Sequence, residues 1–336
     1  MKKPLISLMA LTASIISTTA FAASNMENPL YMPQNREVYL KTAAAMMYKT
    51  VEGTEATIVK QSSGNLEFPV WRFFGDIGYG ITDRLDVHGH FGYTKDGEID
   101  RKGMHRGRIG LMYRILTDND PFVLDLYGDA YLSGITPMKG TYTAKGFNFD
   151  NYSNGRWGAI VGTRFGKTWN DFTLGAHVEY LQTFGNHNNK IALDPALGMS
   201  AIGFPSEIEV DLKSTHETVA GFDAMYQMNK KWSLGAGFEY IEHSDNGVKG
   251  IHTQLKEMPG MAGIMQQKTV AALLAATKDM DDGWDEYVIK TNVAYQMTDD
   301  VQFSMFFEYT IDEAHAKSQN ATDEKMELGI RMGARF

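Results

Sequence analysis

From Arg36 to Phe336, apolar side chains recur at every second position, the repeat of a strand with two unlike faces. Phe122, Leu124, Leu126, Gly128, Ala130 and Leu132 share one face of their segment, against Asp125, Tyr127, Asp129 and Tyr131 on the other. Val301–Ile311 repeats the pattern, with Val301, Phe303, Met305, Phe307, Tyr309 and Ile311 alternating with mostly polar neighbours. Extended along the chain, this periodicity predicts strands over 36–48, 67–80, 84–94, 105–115, 121–132, 155–165, 172–184, 216–228, 231–243, 285–297, 301–311 and 325–336. Most reach the ~9–11 residues that a tilted strand needs to cross a bilayer.

The connections alternate as strictly as the side chains. Short ones at Ile81–Asp83, Leu116–Asp120, Gly166–Asp171, Asn229–Lys230 and Thr298–Asp300 interleave with long ones near 49–66, 95–104, 133–154, 185–215, 244–284 and 312–324. Tight turns at one end and long loops at the other define an all-β, antiparallel, up-and-down transmembrane barrel of about twelve strands. In such a barrel the turns are periplasmic, the loops extracellular, and an even strand count leaves both termini on the turn side. Tyr48, Tyr93, Tyr131, Tyr180, Tyr240 and Tyr309 fall near the loop ends, and Phe172, Trp232, Tyr295 and Phe336 near the turn ends, where interfacial girdles belong.

Met1–Ala22 carries Lys2 and Lys3, an apolar Leu5–Ile16 and a small-x-small Ala20-Phe21-Ala22, the pattern of a cleaved secretory signal. Its apolar run, interrupted by Ser7, Thr12 and Ser14, is too short for a spanning helix. The predicted organisation is therefore a signal peptide over 1–22, a periplasmic segment over 23–35 and a barrel over 36–336, with export to the outer membrane of a Gram-negative bacterium. A mean hydropathy of -0.30 fits this, because only every second residue of a barrel strand meets lipid. The chain has no cysteine, as suits passage through an oxidising compartment. Its formal charge of -9, made more negative when the leader's lysines depart, argues against a nucleic-acid partner.

Alternation also assigns the inward face. A basic wall is expected from Arg106, Arg108, Arg114, Arg156 and Arg164, with Asp125 and Asp129 between them. Further round the ring, Glu179, Glu217, Asp223 and Glu239 would form an acidic wall, and the two walls would set up a transverse field in a water-filled lumen. The expected activity is passive diffusion of small polar solutes, with no cofactor, no metal and no catalysis. One alternative is a closed structural or adhesive barrel, its charges paired across the lumen. The other is a lipid hydrolase built on His88 and His90 beside Asp86, although no Gly-x-Ser-x-Gly pattern supplies a nucleophile. The acidic run Asp279–Glu286 lacks the spacing of a calcium loop. Met261–Met280 has helix-favouring composition and would lie over the mouth or fold inward as a constriction.

The last segment, Glu327-Leu328-Gly329-Ile330-Arg331-Met332-Gly333-Ala334-Arg335-Phe336, resembles the C-terminal signal of outer-membrane porins and related barrels. Gly329, Met332 and the terminal Phe336 carry the likeness, while Ala334 stands where an aromatic is common. Tyr79–Val87, with Thr82-Asp83 at its polar centre, looks like a strand–turn–strand of the same family. The resemblance implies recognition by the barrel-assembly machinery and contact with outer-membrane lipid and lipopolysaccharide.

Overall fold

The computed structural model describes residues 25–50, 70–95, 102–132, 137–143, 146–149, 155–185, 189–244, 248–278, 283–314 and 324–336. The leader and the loop over 51–69 lie outside these. In chain order the strands are β1 Val38–Thr50, β2 Val70–Thr82, β3 Leu85–Lys95, β4 Lys102–Leu116, β5 Val123–Tyr131, β6 Lys139–Thr143, β7 Gly146–Phe149, β8 Trp157–Trp169, β9 Phe172–Phe184, β10 Asn189–Leu193, β11 Glu207–Leu212, β12 His216–Gln227, β13 Trp232–His243, β14 Val248–Ile251, β15 Trp284–Gln296, β16 Val301–Ala314 and β17 Glu324–Arg335. Among the described residues one α-helix, α1, spans Gly260–Lys278.

Twelve of these strands close into a barrel in the order β1-β17-β16-β15-β13-β12-β9-β8-β5-β4-β3-β2, and they are the twelve that the alternation predicts. Neighbours are antiparallel, and β1 seals the ring against β17, with Ala43 opposite Arg331. The turn between β8 and β9 is tighter than expected: both strands run on to Asn170-Asp171, so Gly166 is a strand residue paired with Gly175. Asn170 takes a φ of 50°, a left-handed conformation that Asn tolerates and a tight hairpin demands.

The barrel's outer surface is apolar and uncovered. Val161, Met305 and Ile330 are each more than half exposed, in a band with Ile109, Leu111, Leu126, Phe222 and Ile289. An exposed apolar belt of this extent is a surface made for lipid. Aromatics flank it toward the turns, where Trp232 packs on Tyr295 at 4.7 Å and Trp169 on Phe172 at 6.3 Å. Tyr131 is not part of the girdle: it is buried and faces inward, stacked in sequence parity with Asp125 and Asp129.

The loops hold the second departure. Segments expected as irregular connections supply a separate five-stranded sheet, ordered β14-β11-β10-β6-β7, with β10 and β6 parallel. Its core of Met138, Ile191, Leu193, Phe204, Ile208, Val210 and Leu212 is the largest buried apolar cluster among the described residues. Glu207-Ile208-Glu209-Val210-Asp211-Leu212 alternates as cleanly as any barrel strand, so the signal was present; its six residues are too few to span a bilayer. Helix α1 packs on β14 and on the 3-10 turn Met199–Ile202, with Val270 against the sheet's core.

Candidate functional site

The interior is built in three levels. Toward the loops, Tyr131, Ile160 and Leu181 form one apolar cluster and Val219, Ile241 and Val288 another. Tyr131, Ile160, Leu181, Val219 and Ile241 wall part of a cavity of about 420 Å3 that is lined as well by His88, His90, Arg108, Asp129, Arg164, His177, Glu179, Glu217, Asp223 and Glu239. At the turn end, the segment Asn25–Gln34, expected as a periplasmic stretch, crosses the barrel interior.

That crossing is secured from all sides. The Asn25 amide donates to Gln227 at 3.0 Å and to Ser233 at 2.9 Å, on β12 and β13. Gln302 of β16 accepts from the Met26 amide at 3.0 Å. Glu27 receives Ser304 at 3.2 Å, Asn292 at 3.2 Å and the Arg331 guanidinium at 2.6 Å. Lys41 of β1 bonds the Met26 carbonyl, Arg114 of β4 the Leu30 carbonyl at 2.7 Å, and Arg164 of β8 the Tyr31 carbonyl at 3.1 Å. Burial pushes the Glu27 carboxyl up, but Arg331 and Lys41 outweigh it and hold the group below the usual carboxylate range. No pattern in 25–34 announces this role. The partners are inward polar groups of eight different strands, which only closure of the ring brings together.

The wall charges are paired locally, and not ranked as two opposing sheets of charge. Asp125 is fully buried and accepts from Arg114 Nε at 2.8 Å and from Arg164 Nη2 at 2.6 Å. Arg108 bonds Glu179 at 3.1 Å, where the Tyr127 hydroxyl also donates at 3.1 Å, and stands 3.6 Å from Asp129. Asp129 has room because Gly110 faces it: a Cβ there would fall 1.9 Å from its Oδ1. Arg156 is not a wall residue. It precedes β8 at the loop end, is buried, and donates to the Lys213 carbonyl at 2.9 Å. Arg106 belongs to β4, but its side chain lies outside the described residues.

On β12 to β17 the balance differs. Lys290 holds Glu239, yet its cross-strand partner is Glu308, and Glu308 in turn faces Glu327. Arg72 takes Glu327. Asp223, Glu239 and Glu308 thus share one lysine. Glu217 sits higher, bonded to His243 at 3.0 Å.

The hydrolase candidates meet carboxylates on every bonded nitrogen. His88 contacts Asp86 at 2.8 Å through Nδ1 and Asp129 at 3.0 Å through Nε2, leaving neither nitrogen for a nucleophile's hydroxyl. His90 contacts Asp76 at 2.6 Å. At the C-terminus, Met332 and Phe336 point outward and exposed, while an inward Cβ at Gly329 would strike the Phe306 ring at 2.4 Å.

No known family profile matches the sequence, and no curated protein does. Solved structures do. An outer membrane channel from Pseudomonas putida F1 superposes with a TM-score of 0.56 at 11% identity, covering 93% of this chain and 99% of that one. The fold is that of an outer-membrane β-barrel. Looser likenesses include the NanC porin, at 8% identity, TM-score 0.41 and coverage of 88% and 98%. OmpT of Vibrio cholerae matches at 8% identity, TM-score 0.39 and coverage of 91% and 99%.

Proposed function

We propose that the protein is a narrow outer-membrane channel for small polar solutes, with a preference for cations, closed down at its periplasmic end by its own N-terminal segment. The observation that carries this reading is the charged interior cavity, of small-molecule size, enclosed by an apolar outer wall. A barrel that served only as an anchor has no need to aim ionisable groups at water rather than filling its lumen with packed side chains. The surplus of carboxylates over cations on β12 to β17 sets the sign of the preference. The solved channel with the same fold agrees with this reading. Export through the cleaved leader, insertion by the assembly machinery through Phe336 and contact with lipopolysaccharide on the loop side complete the proposal. It includes no catalytic step.

Single-channel recording of refolded protein in a planar bilayer tests it. Small steps are expected, with a reversal potential of cationic sign in a salt gradient. Removal of residues 25–34 is expected to enlarge the steps. Silence of both forms across many insertions overturns the channel in favour of a closed structural barrel.

A further inference from the structure

We propose that His177, Asp223 and Glu239 form a binding site for one divalent first-row transition-metal cation, of the Zn2+ or Cu2+ kind, inside the lumen cavity. This deepens the channel reading by naming a class of cationic solute, and it rests on that reading only for the ion's route, not for the site.

The three residues come from adjacent strands β9, β12 and β13, and all three line the cavity. One ring nitrogen and one oxygen from each carboxylate lie within 4.8 Å of one another. Metal–ligand bonds of about 2.0–2.2 Å would draw such atoms together by side-chain rotation alone. The backbone is prepared for the approach. Gly221 pairs directly with both His177 and Glu239, and a Cβ on it would lie 2.8 Å from His177 Cε1 and 2.7 Å from Glu239 Cγ. Only a residue without a side chain lets imidazole and carboxylate converge over β12. Gly237 does the same for Asp223, where a Cβ would fall 2.1 Å from Oδ1.

Comparison with the other inward histidines separates this site from ordinary ion pairing. His88 is clamped at 2.8 and 3.0 Å between Asp86, which is fully buried, and Asp129. His243 is stacked under Trp284 at 4.2 Å. His177 meets its carboxylates loosely, at 3.7 Å to Asp223 and 3.2 Å to Glu239, and it lines the cavity, whereas His243, at 3.0 Å from Glu217 and 3.6 Å from Glu286, does not. The charge balance also asks for a cation. Lys290 bonds Glu239, pairs across the strands with Glu308 and stands in one register row with Asp223, Gly237 lying between, so it is the lysine nearest to three carboxylates. Arg164, opposite His177 on β8, is committed to Asp125. A mixed nitrogen and oxygen donor set selects Zn2+ and Cu2+ over Mg2+ and Ca2+, which want oxygen alone. On binding, Lys290 is free to turn from Glu239 toward Glu308.

The experiment is calorimetric titration of the full-length refolded barrel in detergent with Zn2+ alone, paired with electron paramagnetic resonance of bound Cu2+. One strong site is expected, with coupling to a single imidazole nitrogen. His177→Ala and Gly221→Ala are each expected to weaken it by more than about tenfold, or 1.4 kcal/mol. Lys290→Gln, which removes the competing cation, is expected to tighten it. Heat-modifiable gel mobility reports that each variant is folded, and Asp223→Asn replaces any variant that is not. A barrel without a strong Zn2+ site, or with one indifferent to His177, Gly221 and Lys290, overturns the inference. Conductance without the metal site would sink this inference and spare the channel. Metal binding without conductance would do the reverse.

Discussion

The two halves of the lumen wall solve the problem of enclosed charge in opposite ways. From β3 to β8, each described arginine of the wall has a carboxylate within reach: Asp125 takes Arg114 and Arg164, and Glu179 on the adjoining β9 takes Arg108. From β12 to β17, Asp223, Glu239 and Glu308 surround Lys290 without matching it. A buried charge is tolerated where a partner answers it, and a surplus is tolerated only where water or a mobile ion can. The first half therefore reads as structure, a set of braces that also hold the N-terminal segment. The second reads as the solute-facing half.

Breaking the braces carries the largest expected cost. Asp125→Asn leaves the buried Arg114 guanidinium and the partly buried Arg164 guanidinium without their carboxylate, a loss of about 3–5 kcal/mol. A lowered thermal midpoint of the heat-modifiable band would record it, together with a looser N-terminal segment. An unchanged midpoint would remove the distinction between the halves. Next comes the outside of the same wall. Ile330→Arg sets a charge in the lipid belt at a cost of about 2–4 kcal/mol, read as reduced stability in lipid vesicles.

A smaller effect is expected from acid. Glu27 ionises below its ordinary value of 4.5 because it is held by Arg331 and Lys41. Its contribution is therefore complete above that value and is lost as pH falls through the lowered one. Conductance should rise over that acidic range, and Glu27→Gln should show the raised conductance already at neutral pH. The mildest changes test selectivity itself. Glu308→Gln is expected to move the reversal potential toward zero, and Arg108→Gln to move it further to the cationic side, with little change in stability from the first. Equal shifts from both would mean that the halves are not different.

Much of the fold is legible in the chain, because a barrel strand must satisfy lipid on one side and water on the other at every step. The twelve barrel strands, the inward parity of Arg108, Arg114, Asp125, Asp129, Glu179, Asp223 and Glu239, and helix α1 all follow from that rule or from composition. Arg156 escaped it because it stands one residue outside β8, where parity no longer assigns a side. Tyr131 obeys the rule, sharing its face with Asp125 and Asp129, and the girdle assignment failed because a tyrosine at a strand end suits a headgroup as well as a lumen. The outer sheet was missed because its strands are short and because three separate loops must meet to complete it, although β6–β7 and β10–β11 each pair within one loop.

Local alternation alone determined the strand count, the lipid face and which charges turn inward, since these depend on neighbours two residues away. Which charge meets which depended on closure. Arg108 reaches Glu179 across 71 positions and Arg331 reaches Glu27 across 304, and no local pattern encodes such pairs. The ring had to close before the carbonyls and the Glu27 carboxylate of the N-terminal segment could find cationic, amide and hydroxyl partners on opposite strands. Only the same closure sets His177, Asp223 and Glu239 around a glycine. Periodicity is a property of one strand, whereas a site in a lumen is a property of the register between many.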